Sequence, residues 1–127
     1  MIAILEIPRI GLVSQVLEEY SESALNISVT KFTGPNPNEI GNFCITGHNH
    51  VSSNMFSRLN RLRPGDNLFL TDGHGEKVEY MIYDVFIVRP TDGSVLCQET
   101  NGRRKVTLIT CTSDSRQRII VQAVEAE

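Results

Sequence analysis

The sequence predicts an all-β protein, a small closed barrel of seven or eight short strands with one or two short helices. Apolar, β-branched runs of strand length recur along the chain, separated by clusters of Gly, Pro, Asn and Asp. Only one segment shows convincing helical spacing. A chain of 127 residues holds one core, so a single domain over 1–127 is expected. Many short strands in so small a domain favour a sheet closed on itself, which leaves no exposed edge.

The first strand is Ile2 to Ile7, stopped by Pro8, and Val13 to Leu17 is a candidate second. Ser21 to Leu25 reads as a short helical turn capped by Ser21. Gly34-Pro35-Asn36-Pro37-Asn38 carries strong turn signals, and Asn42 to Thr46 follows as a strand. Phe56, Leu59 and Leu62 recur at helical spacing, ended by Arg63-Pro64-Gly65-Asp66. Asn67 to Thr71 is a strand, and Asp72-Gly73-His74-Gly75 is a hairpin turn. Lys77 to Arg89 is a long strand with Val78, Tyr80 and Ile82 on one face. A loop, Pro90 to Gly102, carries Val95-Leu96, and the strands Lys105 to Cys111 and Gln117 to Val124 close the chain.

Composition narrows the function. A net charge of −3 argues against a nucleic-acid partner, which selects basic stripes, and Arg103-Arg104-Lys105 is a short strand entrance. The three cysteines, Cys44, Cys97 and Cys111, form no CxxC pair, so neither a fully paired disulfide framework nor a structural zinc site is expected. No run of about 18 apolar residues is present to span a membrane, and no signal peptide is visible.

The chemistry concentrates at strand ends. Thr107-Leu108-Ile109-Thr110-Cys111 runs an apolar strand into a thiol, and Arg118-Ile119-Ile120-Val121 begins after the turn that follows. Phe43-Cys44-Ile45-Thr46 ends in Gly47-His48, where glycine permits a sharp exit that leaves the imidazole at a rim. A thiol, an imidazole and a guanidinium are the nucleophile, acid/base and anion stabiliser of a cysteine acyl transferase. Each has a rival or a plainer role. His50 competes with His48 and Arg116 with Arg118, while Cys111 alone would more often be an inert core thiol. A His-x-His metal site with Cys111 lacks a completing ligand. Cys44 reads as a small core hydrophobe, His74 as solvated, and Cys97 has no assigned role.

Together these residues resemble the sortases, cysteine transpeptidases of Gram-positive bacteria. Thr107-Leu108-Ile109-Thr110-Cys111 fits the family's TLxTC signature, Thr46-Gly47-His48 its Gly-His motif, and Gln117-Arg118-Ile119-Ile120-Val121 its arginine strand. Leu5-Glu6-Ile7-Pro8-Arg9-Ile10 resembles the opening strand, and Pro90-Thr91-Asp92-Gly93-Ser94-Val95-Leu96 the loop that closes over the substrate. The resemblance implies a closed eight-stranded barrel. It implies a membrane-anchored enzyme at the extracellular face, its anchor lying outside this chain. Its substrates would be secreted surface proteins bearing an LPxTG-like sorting signal. Cys111 would attack the Thr–Gly bond and form a thioacyl enzyme, His48 would protonate the departing amine, and Arg118 would hold backbone carbonyls and the oxyanion. An amine of a peptidoglycan precursor would resolve the thioester. Thr46, Thr107 and Ile109 would line the signal groove, Val95 and Leu96 would sit on its lid loop, and Thr110 would help set the oxyanion hole.

Two departures from the family shape the expectation. The stretch 33–41 offers only Glu39 as an acid, and Gln98 stands where a calcium-binding acid would be expected, so no metal and no cofactor is expected. The aspartate and aromatic of a class C N-terminal lid are absent, which favours a class D-like or class A-like enzyme. A cysteine hydrolase and a non-catalytic peptide-binding barrel are the competing functions. A papain-like protease is disfavoured because the histidine precedes the cysteine.

Overall fold

A computed structural model describes residues 2–18, 28–47, 56, 58–89, 93–98, 100–111 and 116–126, with the backbone alone described at Cys111. Eight strands form: β1 (Ala3–Ile7), β2 (Leu12–Leu17), β3 (Val29–Thr33), β4 (Gly41–Thr46), β5 (Asn67–Asp72), β6 (Lys77–Val88), β7 (Arg104–Cys111) and β8 (Arg118–Glu125). They close into a barrel in the order β1-β2-β3-β4-β7-β8-β6-β5, with β5 returning to β1. The all-β closed barrel expected from the sequence is the observed architecture. Two seams are parallel, β2–β3 and β4–β7, and the others antiparallel. Three short 3-10 turns, Pro8–Ile10, Leu59–Arg61 and Ser94–Leu96, are the helical elements among the described residues.

Strand alternation fills the interior. Leu5 and Ile7, Phe43 and Ile45, Leu68 and Leu70, Tyr80 and Ile82, Val106 and Leu108, and Val121 and Ala123 all belong to one buried cluster. Phe56, Leu59 and Leu62 join it. The spacing therefore identified the buried face of that segment, while its described part is a 3-10 turn. Leu62 is already extended, two residues before Pro64. The helical turn expected at Ser21 to Leu25 lies outside the described residues.

β3 is the strand the sequence pattern missed. Its register slips between Lys31 and Thr33, and Val29 and Thr30, on opposite faces, are both buried while Phe32 is exposed. A bulge of this kind erases the two-residue period by which a strand is recognised. The turn at 34–38 has a physical anchor. Asn38 adopts φ +63°, its amide donates to the Leu70 and Glu76 carbonyls, and its oxygen accepts the buried Tyr80 hydroxyl. Among the described residues, no helix is long and apolar enough to cross a membrane.

Candidate active site

The parallel seam β4–β7 and the antiparallel seam β7–β8 bring the chemical motifs together. Thr46 is the Cα partner of Ile109, and Cys111 that of Arg118. One step beyond β4, the Gly47 N–H donates to the Ile109 carbonyl at 3.2 Å, and the Thr110 hydroxyl donates to the Gly47 carbonyl at 2.8 Å. The chain is thus tied to β7 on both sides of Gly47, immediately before His48 and beside the β7 end that carries Cys111. His48 and His50 themselves lie outside the described residues, as does the turn 112–115.

Gly47 is demanded by packing. A Cβ there would meet Val29 Cγ1 at 2.8 Å and Phe56 Cδ2 at 2.9 Å, closer than real Cβ contacts run. The chain leaves β4 pressed between two core side chains, and only a residue without a side chain fits.

Arg118 opens β8 directly opposite Cys111 and is half-buried, with Nη1 donating to the Gln117 carbonyl at 3.4 Å. Arg116 is exposed and precedes the strand, outside the β7–β8 pairing. Pairing therefore puts Arg118, rather than Arg116, across from the thiol's backbone.

The other expected groove residues divide. Thr46, Ile109 and Leu96 are half-buried and keep accessible surface near the strand ends. Val95 is 6% exposed, with its carbonyl held by Asn42 Nδ2 at 2.9 Å. Thr107 departs from the expected groove lining: it is 1% exposed and donates to Asn42 Oδ1 at 2.6 Å. The 94–98 segment, fastened through Asn42, roofs this part of the sheet, so Thr107 acts here as a strut. Thr110 is likewise 1% exposed and engaged with Gly47. Its hydroxyl is spent on joining the two strand ends.

Cys44 pairs in register with Thr107 and is fully buried. Burial pushes its thiol up to about 12, against a smaller opposing effect of the Thr107 hydrogen bond. It stays protonated and inert near neutral pH, as its place in an apolar run suggested. Cys97 is exposed. His74 is exposed in the β5–β6 turn, where the Asp72 carboxylate accepts the N–H groups of His74 and Glu76. Among the described residues, no group of three or more His, Cys, Asp or Glu side chains is placed to hold a metal ion.

One partnership near the site escaped the sequence reading, which took Gln98 only as standing where a calcium-binding acid would be expected. Asn42 is buried at the start of β4, and Gln98 reaches it from the 94–98 segment. A lone amide heading an otherwise apolar run, Phe43-Cys44-Ile45, was the available signal for Asn42.

Residues 5–126 match the family model described as the Sortase domain. Comparison with curated protein sequences gives no match. Among solved structures, the chain is similar to a Clostridium perfringens sortase D5 transpeptidase, with 29% identity and a TM-score of 0.90 over 99% of this chain and 79% of that one. It is also similar to sortase C-1 from Actinomyces oris, with 27% identity and a TM-score of 0.90 over 98% of this chain and 71% of that one. A lid mutant of sortase A from Corynebacterium diphtheriae, 23% identical, shares the fold at a TM-score of 0.90 over 99% of this chain and 70% of that one.

Proposed function

This chain belongs to the sortase family, whose role is transpeptidation, and we propose that it cleaves an LPxTG-like sorting signal between Thr and Gly and transfers the surface protein to an amine of a peptidoglycan precursor. The observation that carries the reading is the convergence of three strand ends. Gly47 is tied to Ile109 and Thr110, and Cys111 is paired with Arg118.

In this reading the Cys111 thiol gives its proton to His48 as the sulfur attacks the Thr carbonyl, and the C–N bond to Gly breaks. His48, next to the tethered Gly47, gives its proton to the departing glycine amine. The acyl group stays on sulfur as a thioester. An incoming amine loses a proton to His48 and displaces the sulfur, which takes that proton from His48 and is restored as the thiol. The fixed fork of Arg118 donates to the oxyanion that develops at each tetrahedral stage. Leu96, on the segment fastened to β4 through Asn42, bounds the signal together with Thr46 and Ile109, with the buried Val95 preceding it. Such an enzyme acts at the extracellular face of the membrane, where surface proteins and cell-wall precursors meet.

The test is mass spectrometry of the protein incubated with an LPxTG-type peptide, with and without triglycine. The expected result is a thioacyl adduct on Cys111, lost in Cys111→Ala, and a ligated product when triglycine is present. His48→Ala should be nearly inactive and His50→Ala active. Arg118→Lys should lose about 100-fold or more in kcat/KM, since a point charge cannot replace forked donation. Cleavage without ligation would point to a hydrolase. No adduct with any of a panel of signal variants would point to a barrel that binds without catalysing.

A further inference from the structure

The densest polar network among the described residues lies beside the strand ends, between β4 and the 94–98 segment. Every hydrogen-bonding group of Asn42 is used. Its N–H donates to Gln98 Oε1 at 2.9 Å, and its carbonyl accepts Gln98 Nε2 at 2.9 Å. Its Nδ2 donates to the carbonyls of Val95 at 2.9 Å and Cys97 at 3.2 Å, while its Oδ1 accepts Thr107 Oγ1 at 2.6 Å. Gln98 Nε2 also donates to the Leu96 carbonyl at 3.1 Å.

The cause lies in the backbone. β3 ends its pairing with β4 at Thr33 and Cys44, so the Asn42 peptide groups have no strand partner on that side. Gly34 instead passes so close that a Cβ would stand 2.2 Å from the Asn42 carbonyl oxygen. The Gln98 amide supplies one acceptor and one donor to a single residue's N–H and C=O, as an added strand would. The Asn42 amide does the reverse, capping two carbonyls of the segment that carries Val95 and Leu96. Two neutral side-chain amides thus fasten that segment to the β4–β7 seam from both sides.

We propose that Asn42 and Gln98 are positioning residues that hold the 94–98 segment in its substrate-receiving form before substrate arrives. The role in capture rests on the sorting-signal reading above, whereas the fastening itself does not. Holding the segment in advance removes the ordering cost from binding. Loosening it should therefore weaken capture of the signal and leave the thiol chemistry at the β7 end intact.

Gln98→Glu is the discriminating change, because the carboxylate keeps the acceptor for the Asn42 N–H and loses both donors. Gln98 is exposed, so folding should survive. Gln98→Met, of similar length and without polar atoms, is the second variant. In a Cys97→Ser background, hydrogen exchange at the amides of Leu96 and residue 97 should quicken about tenfold or more, the scale of losing one or two net hydrogen bonds. With an LPxTG-type peptide and triglycine, KM should rise about tenfold or more while kcat stays within about threefold. The rate of Cys111 alkylation by iodoacetamide should not change.

Unchanged exchange in both variants would overturn the fastening. A fall in kcat at constant KM, or slowed alkylation of Cys111, would overturn the assignment by showing that the network serves the nucleophile instead. If the wild type turns over no signal peptide, the sorting-signal reading fails, and the exchange rates still decide the fastening.

Discussion

At the scale of single residues, Cys44 separates a structural thiol from a reactive one. Folding raises its pKa from 9.0 to about 12, because burial disfavours the thiolate. Both states are protonated well below 9.0; above it the unfolded chain loses its proton first, so stability falls as pH rises toward about 12. Tyr80, also pushed up by burial, acts in the same direction. Cys44→Ala should lower stability at every pH through lost packing. It should also flatten the alkaline decline by up to about 1.4 kcal/mol per pH unit. Urea unfolding of both proteins from neutral pH to above pH ~10 measures the two slopes. Equal slopes would mean that Cys44 titrates as in the unfolded chain. The same burial predicts that iodoacetamide labels the exposed Cys97 in the native protein and leaves Cys44 untouched.

At the scale of elements, what matters is how the end of β4 is held against β7. Gly47→Ala places a methyl against Val29 and Phe56 at distances below 3.0 Å. The chain must shift at the step that leads to His48. The expected cost is about 1–3 kcal/mol of stability, with a loss of turnover larger than thermal destabilisation explains. Denaturation and steady-state assays on the same preparation check both. Full activity would mean that the tether from Thr110 to Gly47 does not position the histidine. This is also where sequence reading was strong in one sense and weak in another. The Gly-His and TLxTC patterns fall at two strand ends that the β4–β7 seam sets side by side, and such ends are legible because a strand leading into a polar turn leaves a local mark. The reason for Gly47 did not, since its neighbours come from residues 29 and 56, distant in sequence. Thr107 shows the same limit. Its place in the motif suggested a groove wall, and only the seam with β4 shows Asn42 covering it. The Asn42–Gln98 partnership went unread because it spans 56 positions and follows no period.

At the scale of the whole molecule, barrel closure was legible from the number of short strands, whereas the quality of each seam was not. β6–β8 is paired through eight residue pairs and β7–β8 through seven. β2–β3 is joined by only two, Val16 with Val29 and Leu17 with Thr30. The bulge that hid β3 from the sequence pattern is part of the same weakness, because it breaks the ladder on the strand's other side. The Ser14–Ser28 hydroxyl contact and the Ser28 bond to the Gln15 carbonyl reinforce this seam with side chains. Local opening should therefore begin at β2–β3, while the seams that carry Cys111 and Arg118 stay shut. In native-state hydrogen exchange, the amides of Val29 and Thr30 should exchange at a free energy below global unfolding, and those of Leu108 and Val121 near it. Ser28→Ala should widen that gap without changing alkylation of Cys111. Equal protection across the two regions would show a barrel that opens only as a unit. The site would then owe its order to closure as a whole, and not to the β4–β7–β8 side alone.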